Sequence, residues 1–313
     1  MTFLQYLRGC NLLPQGSVTE EDSRLVAFRS WLIHQCGVTA QTAVRYLAEA
    51  ARWLSDLSPD PGTYDAITIR SIVLHQPSSR SHKSVQLTAT VLRTYLRYLV
   101  ANDACRPELV YAVPCARRPR NAALPRFLSP PIIERIIASC DLNTPVGLRD
   151  RAIMLLLARL GLRAGDVCQL RLADIDWRNG RLRVGGKNRR VSHLPLPQDA
   201  GDALLAYIEH ARPPARDDHM FLRVHAPFRS LKPSTIACLV AKARTRAGVE
   251  GVPTGSHVFR HSLATSMVRA GCSLEQVGAI LRHRSPDTTA IYAKTDIDML
   301  MRVAQPWPGD ASC

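Results

Sequence analysis

The chain has 313 residues, 46% of them apolar, and its 41 lysines and arginines against 26 aspartates and glutamates give a formal charge of +15. That apolar share excludes a disordered chain, and the length points to two domains rather than one. The longest apolar run, 152–160, is broken by Arg159 and falls well short of the eighteen or so residues a membrane-spanning helix needs.

The opening stretch, 1–14, carries Arg8 among its apolar residues and lacks a small-residue cleavage pattern, so it does not read as a secretory signal. The nine cysteines (Cys10, Cys36, Cys105, Cys115, Cys140, Cys168, Cys238, Cys272 and Cys313) are odd in number and scattered, with no C-x-x-C pair. They fit neither a disulfide framework nor a zinc site, and a reduced, cytoplasmic protein is expected. Five residues of the basic complement are lysines (Lys83, Lys187, Lys232, Lys242, Lys294) and the rest are arginines. Both halves of the chain are basic. A ligand gripped by both, most simply nucleic acid, is the expected partner; an anionic membrane surface comes second.

In chain order, apolar residues at three- and four-residue spacing predict helices over 20–35, 40–56, 66–75 and 83–101. In the second, Val44, Leu47, Ala48, Ala51 and Leu54 form one stripe, Gly37 ends the helix before it, and Thr39 is its N-cap. Residues 1–104 therefore read as a four-helix unit. Residues 105–126 are rich in proline and arginine without helical period and read as a linker. Residues 127–313 form a second domain, predicted to be mostly helical with a small antiparallel sheet. Its helices fall at 130–139, 148–160, 167–172, 197–210, 233–247, 257–270, 273–281, 286–294 and 297–303. Its strands fall at 175–177, 181–184 and 193–196, joined by turns at Asn179-Gly180 and 185–188.

The residues able to carry chemistry lie in this second domain. His257 and Arg260 are three apart at the start of a helix and share a face. The same spacing also suits an N-terminal turn with incidental polar residues. His257 and His261 are four apart, but Val258 stands where a zinc metalloprotease helix has an acid, so no metal is expected. Arg163 and Asp166 also fit a surface ion pair, Lys187 a solvated hairpin lysine, His283 a helix-terminal histidine, and Tyr292 an amphipathic residue with a wet hydroxyl.

Taken together and in order, these residues resemble the tyrosine recombinase, or phage integrase, family. The resemblance is carried by Gly161-Leu-Arg163-Ala-Gly-Asp166, by Lys187 in a hairpin, by His257-Val-Phe-Arg260-His261-Ser-Leu-Ala-Thr265, and by Leu281-Arg-His283 leading to Thr288-Thr-Ala-Ile-Tyr292. It covers roughly 126–304. The chain departs from the family pattern with Asp166 in place of Glu, Arg282 in place of Gly and Asn188 in place of Gly.

The resemblance implies a mainly α fold with a small antiparallel β-sheet: an N-terminal four-helix core-binding (SAM-like) domain and a C-terminal α+β catalytic domain. It implies a site-specific DNA recombinase, of the integrase, transposase or Xer kind, with no cofactor. Tyr292 would attack the scissile phosphate to give a 3′-phosphotyrosyl link. Arg163 and Arg260 would clamp the phosphate, Lys187 would protonate the leaving oxygen, and His257 would act as general base. His283 would be a further phosphate donor, and Asp166 would orient Arg163. Arg117, Arg118, Arg120 and Lys83 are candidate contacts to the DNA backbone. The implied partners are double-stranded DNA with paired inverted half-sites and a homo-tetramer exchanging strands through a Holliday junction, with the segment 296–303 as a docking helix. The implied location is a bacterial nucleoid in the cytoplasm. Two other readings stay open: a relaxing topoisomerase with the same tyrosine chemistry, and a catalytically silent DNA-binding accessory protein.

Overall fold

The structure is a computed structural model that describes residues 22–77, 79–115, 127–185, 191–251, 255–283 and 285–293. It divides into two compact units, Met1–Arg120 and Asn121–Cys313. Among the described residues no helix is long and apolar enough to cross a membrane.

In the first unit, helix α1 (Ser23–His34) starts at the Asp22 side chain, which accepts the Arg24 amide. The chain then turns at Gly37, whose φ of +61° suits a residue without a Cβ. Helix α2 (Ala40–Ala50) begins at Thr39, whose hydroxyl accepts the Thr42 amide, and is followed by α3 (Ala66–Leu74) and α4 (His82–Ala101). Helix α2 was expected to run to Asp56 and stops at Ala50 instead; a 3-10 turn over Leu54–Asp56 follows. The tighter winding lets the adjacent Trp53 and Leu54 both enter the core, where Trp53 meets Tyr95 edge-on at 5.7 Å. Phe28, Trp31, Tyr95 and Tyr98 complete an aromatic cluster between α1 and α4. Residues 105–115, read from the sequence as the start of the linker, instead include a short helix, α5 (Leu109–Ala112). Leu109 and Val113 are buried in the first core, which outweighs the prolines on either side.

The second unit is built around α7 (Pro145–Leu160), where every residue from Ala152 to Ala158 is buried. It starts three residues before the expected boundary because Thr144 caps the Gly147 amide and Pro145 takes the first helical position, where no amide donor is needed. Helices α6 (Pro130–Ala138), α9 (Gln198–His210), α10 (Pro233–Arg246) and α11 (His257–Arg269) pack around α7 and its neighbours. A three-stranded antiparallel sheet is ordered β1 (Ile175–Asp176), β2 (Arg181–Gly185), β3 (Val191–Pro195), with Leu182 opposite Leu194 and Gly185 opposite Val191. Leu182 and Val184 alternate inward along β2, the pattern of a strand covered on one face. Helices α8 (Ala164–Gln169), α12 (Leu274–Leu281) and α13 (Pro286–Ala290) are short, and their ends surround the candidate site. The expected helix at 297–303 lies outside the described residues.

Candidate active site

Three short segments meet here. Helix α7 ends at Gly161, in the left-handed region at φ +56°, and two residues later Arg163 stands at the N-cap of α8. Helix α12 ends at Arg282, also left-handed at φ +54°, directly before His283. The first turn of α11 presents His257, Arg260 and His261. A Cβ on Gly161 would lie 2.7 Å from Leu281 Cδ2, so the two helix ends approach too closely for a side chain at 161.

Arg260 joins them. The residue is 3% exposed, and its guanidinium donates from Nη1 to the Gly161 carbonyl (2.5 Å) and from Nη2 to the Leu281 carbonyl. Among the described residues no carboxylate forms an ion pair with it. Burial, followed by the neighbouring Arg163 charge, pushes its pKa down to about 10. Arg163 also disfavours the charged forms of His257 and His283, which places all four groups in one electrostatic field.

Tyr292 is 1% exposed and packs with Ala264, Val268, Val277 and Leu281. Its Oη shares a 2.8 Å hydrogen bond with His261 Nδ1, and its ring stacks parallel to that of His283 at 6.3 Å. Burial raises the tyrosine pKa, and the charges of Arg260 and Arg163 oppose that rise. Burial disfavours the charged form of His261, with His257 and Arg260 adding to the effect. His283 is pushed down to about 4, mainly by burial; its Nδ1 bonds Thr289 Oγ1 at 2.7 Å, which leaves Nε2 as its other ring nitrogen.

The structure thus gathers Arg163, His257, Arg260, His283 and Tyr292, and it changes two expectations. His257 was read as the partner of the tyrosine hydroxyl, whereas His261 holds that hydroxyl, one turn further along α11. The signal is present in the sequence, since 257, 260 and 261 share a helical face, but neither the spacing nor the resemblance assigns His261 to the tyrosine. Asp166 was expected to orient the Arg163 side chain. Its Oδ2 instead accepts the Arg163 backbone amide at 3.1 Å and pairs with Arg282 Nη2 at 2.7 Å. An Asp at the third helical position folds back onto its own N-cap, and the oxygen that does so also receives Arg282.

A cavity of about 820 Å³ opens beside these groups, lined by Arg163, Ser192, Arg282 and His283 among others. Lys187 lies outside the described residues; Gly185 and Val191, on either side of its segment, pair across β2 and β3. Arg117, Arg118 and Arg120 also lie outside them. Lys83 is exposed in the first turn of α4 and joins no ion pair among the described residues. Asp217, Asp218 and His219 could approach one cation, but Asp218 already pairs with Arg171 and Asp217 with His219.

The comparisons with known proteins agree with this geometry. The sequence model of the Phage integrase family matches residues 126–298. A protein named integrase/recombinase y4rA from Sinorhizobium fredii is 40% identical over 318 aligned positions, covering 98% of this chain and 78% of that protein. The tyrosine recombinase XerD of Xanthomonas campestris is 30% identical, covering 87% of this chain and 88% of that protein. In fold, the chain is similar to the XerH site-specific recombinase in a post-cleavage complex with its palindromic difH substrate. That likeness has a TM-score of 0.71 at 19% identity and covers 97% of this chain and 94% of the other. With a family match over more than half its length and a relative at 40% identity that covers nearly all of this chain, the chain belongs to the phage integrase family and is a tyrosine recombinase.

Proposed function

We propose that the protein cuts and rejoins double-stranded DNA at specific sites through a covalent bond to Tyr292. One observation carries this reading: the tyrosine hydroxyl is hydrogen-bonded at 2.8 Å to a histidine whose charged form is disfavoured, inside the field of two arginines. In the forward step the Oη–P bond forms and the P–O5′ bond breaks, while the phenolic proton passes to His261 Nδ1. Arg163 and Arg260 neutralise the non-bridging oxygens, and the positive charge is worth most in the transition state, where phosphate charge is most concentrated. His257, whose pKa is lowered first by burial and then by Arg260 and Arg163, serves as a phosphate-oxygen donor, together with His283. Lys187 protonates the departing 5′ oxygen. Because the phosphotyrosyl bond keeps the energy of the broken one, rejoining to a second strand needs no nucleotide cofactor.

The chain acts as a tetramer on two sites with inverted half-sites, in the cytoplasm on the bacterial nucleoid. Arg117, Arg118, Arg120 and Lys83 take part in gripping the backbone. Binding therefore weakens steeply as salt is raised, because neutralised phosphates release counterions.

The test uses nicked duplexes covering the DNA on either side of the gene. The expected result is a protein-linked 3′ end that disappears in Tyr292→Phe while binding persists. Absence of the adduct on every fragment would overturn the enzyme reading in favour of a DNA-binding accessory role. Loss of supercoils without joining to a second duplex would favour a relaxing enzyme.

A further inference from the structure

Two loops carry groups that face one phosphate in the proposed function, and among the described residues no backbone hydrogen bond joins them: the turn into α8 with Arg163 and the end of α12 with His283. Arg260 ties them from one side, through the carbonyls of Gly161 and Leu281. On the other side, Asp166 and Arg282 make a second tie between residues 116 positions apart. Both side chains are nearly buried, Arg282 at 10% exposure and Asp166 at 13%. One carboxylate oxygen receives both the Arg282 guanidinium and the amide of Arg163. Arg282 makes this contact from a left-handed backbone that a side chain disfavours, and within the same turn the His283 amide donates to Gly278. The backbone hydrogen bonds close the turn, and the ion pair anchors the side chain that projects from it. Among the described residues the Arg282 Nε is buried without a hydrogen-bond partner, while Nη2 is held by Asp166.

From this arrangement we infer that Asp166 and Arg282 are paired positioning residues that fix the distance between Arg163 and His283. The inference rests on the recombinase reading for its functional consequence and not for its structural one, so the experiment has two arms.

In the first, backbone hydrogen exchange is measured on the full chain without DNA. The expected result is reciprocal: Arg282→Ala speeds exchange about tenfold in 163–166, and Asp166→Asn does so in 281–283. Changes confined to each variant's own segment would overturn the pairing. Arg282→Gly is the second variant. Glycine suits the left-handed backbone while removing the whole side chain and with it the ion pair, so the helix end is kept and the same loosening of 163–166 is expected.

In the second arm, the rate of adduct formation on a nicked target duplex is read at saturating protein. Asp166→Asn and Arg282→Gly should each slow it about tenfold or more with DNA binding unchanged, because misplacement of a reacting group slows chemistry without weakening the grip. Asp166→Glu, which keeps the carboxylate, should stay within about threefold of the parent. A parent-like rate in Asp166→Asn, or a rate that follows thermal stability across the three variants, would overturn the inference. A parent protein that forms no adduct at all would count against the recombinase reading, and the exchange arm would still decide the pair.

Discussion

Each of the two units buries a charge, and Glu49 and Arg260 are treated in opposite ways, whereas the second unit's buried Arg149 and Asp150 pair with each other at 2.7 Å. In the first unit Glu49, 5% exposed, accepts from Arg80 Nη2 at 2.9 Å and 3.0 Å and from the Thr88 hydroxyl at 2.5 Å. Every strong interaction there is internal, and the network joins α2, the start of α4 and the turn between α3 and α4. In the second unit Arg260 is buried more deeply, yet among the described residues it donates only to carbonyl oxygens, with Arg163 as its main charged neighbour. A buried ion with its counter-ion in place serves the fold. A buried cation set among cations is costly to the fold, and the return lies in binding an anion whose charge concentrates during reaction.

That contrast predicts opposite outcomes for removing each charge. Arg260→Gln should lower the rate of adduct formation about 10²- to 10³-fold, the usual loss for one oxyanion donor. Its effect on stability should stay within about 1–2 kcal/mol, since relief of cation repulsion offsets two lost hydrogen bonds. A stability loss large enough to account for the rate would collapse the distinction between the two charges. Glu49→Ala should do the reverse, costing the first unit about 3 kcal/mol in urea denaturation by leaving Arg80 nearly buried without its partner. An unchanged midpoint would mean that the network is ornamental.

Acid should separate the units further, with a smaller effect. His283, His261 and His257 all have pKa values lowered in the folded state, so the unfolded chain binds protons there first. Their contribution to stability is complete above the ordinary histidine value of 6.5 and is lost as pH falls towards the folded value, about 4 for His283. The second unit should therefore lose stability over that window, as followed by thermal unfolding. Adduct formation should fall as His261 takes up the proton it would otherwise take from Tyr292. A rate that rises on acidification would remove His261 from the proposed proton path.

Much of this was legible beforehand, for identifiable reasons. The helices of both units declare themselves by period and capping residues such as Thr39, and the reactive groups by their order along the chain. What the sequence hid depends on contacts between distant segments. Nothing near residue 50 announces that Trp53 needs a tighter turn to reach Tyr95. Likewise, Asp166 and Arg282 stand out singly as unusual residues, and only the meeting of two helix ends shows that they are partners. His261 escaped because it neighbours a more conspicuous arginine, and its role depends on where a tyrosine 31 residues away comes to rest.

The burial of Tyr292 bears on genome safety. A side chain 1% exposed offers nothing for a passing duplex to touch. On the chemistry proposed above, stray collisions with chromosomal DNA leave no break unless the stretch around 291–293 first moves. The frequency of accidental cutting is then governed by a conformational equilibrium rather than by the reactivity of the phenol. Each additional 1.4 kcal/mol favouring the closed arrangement makes such accidents about ten times rarer.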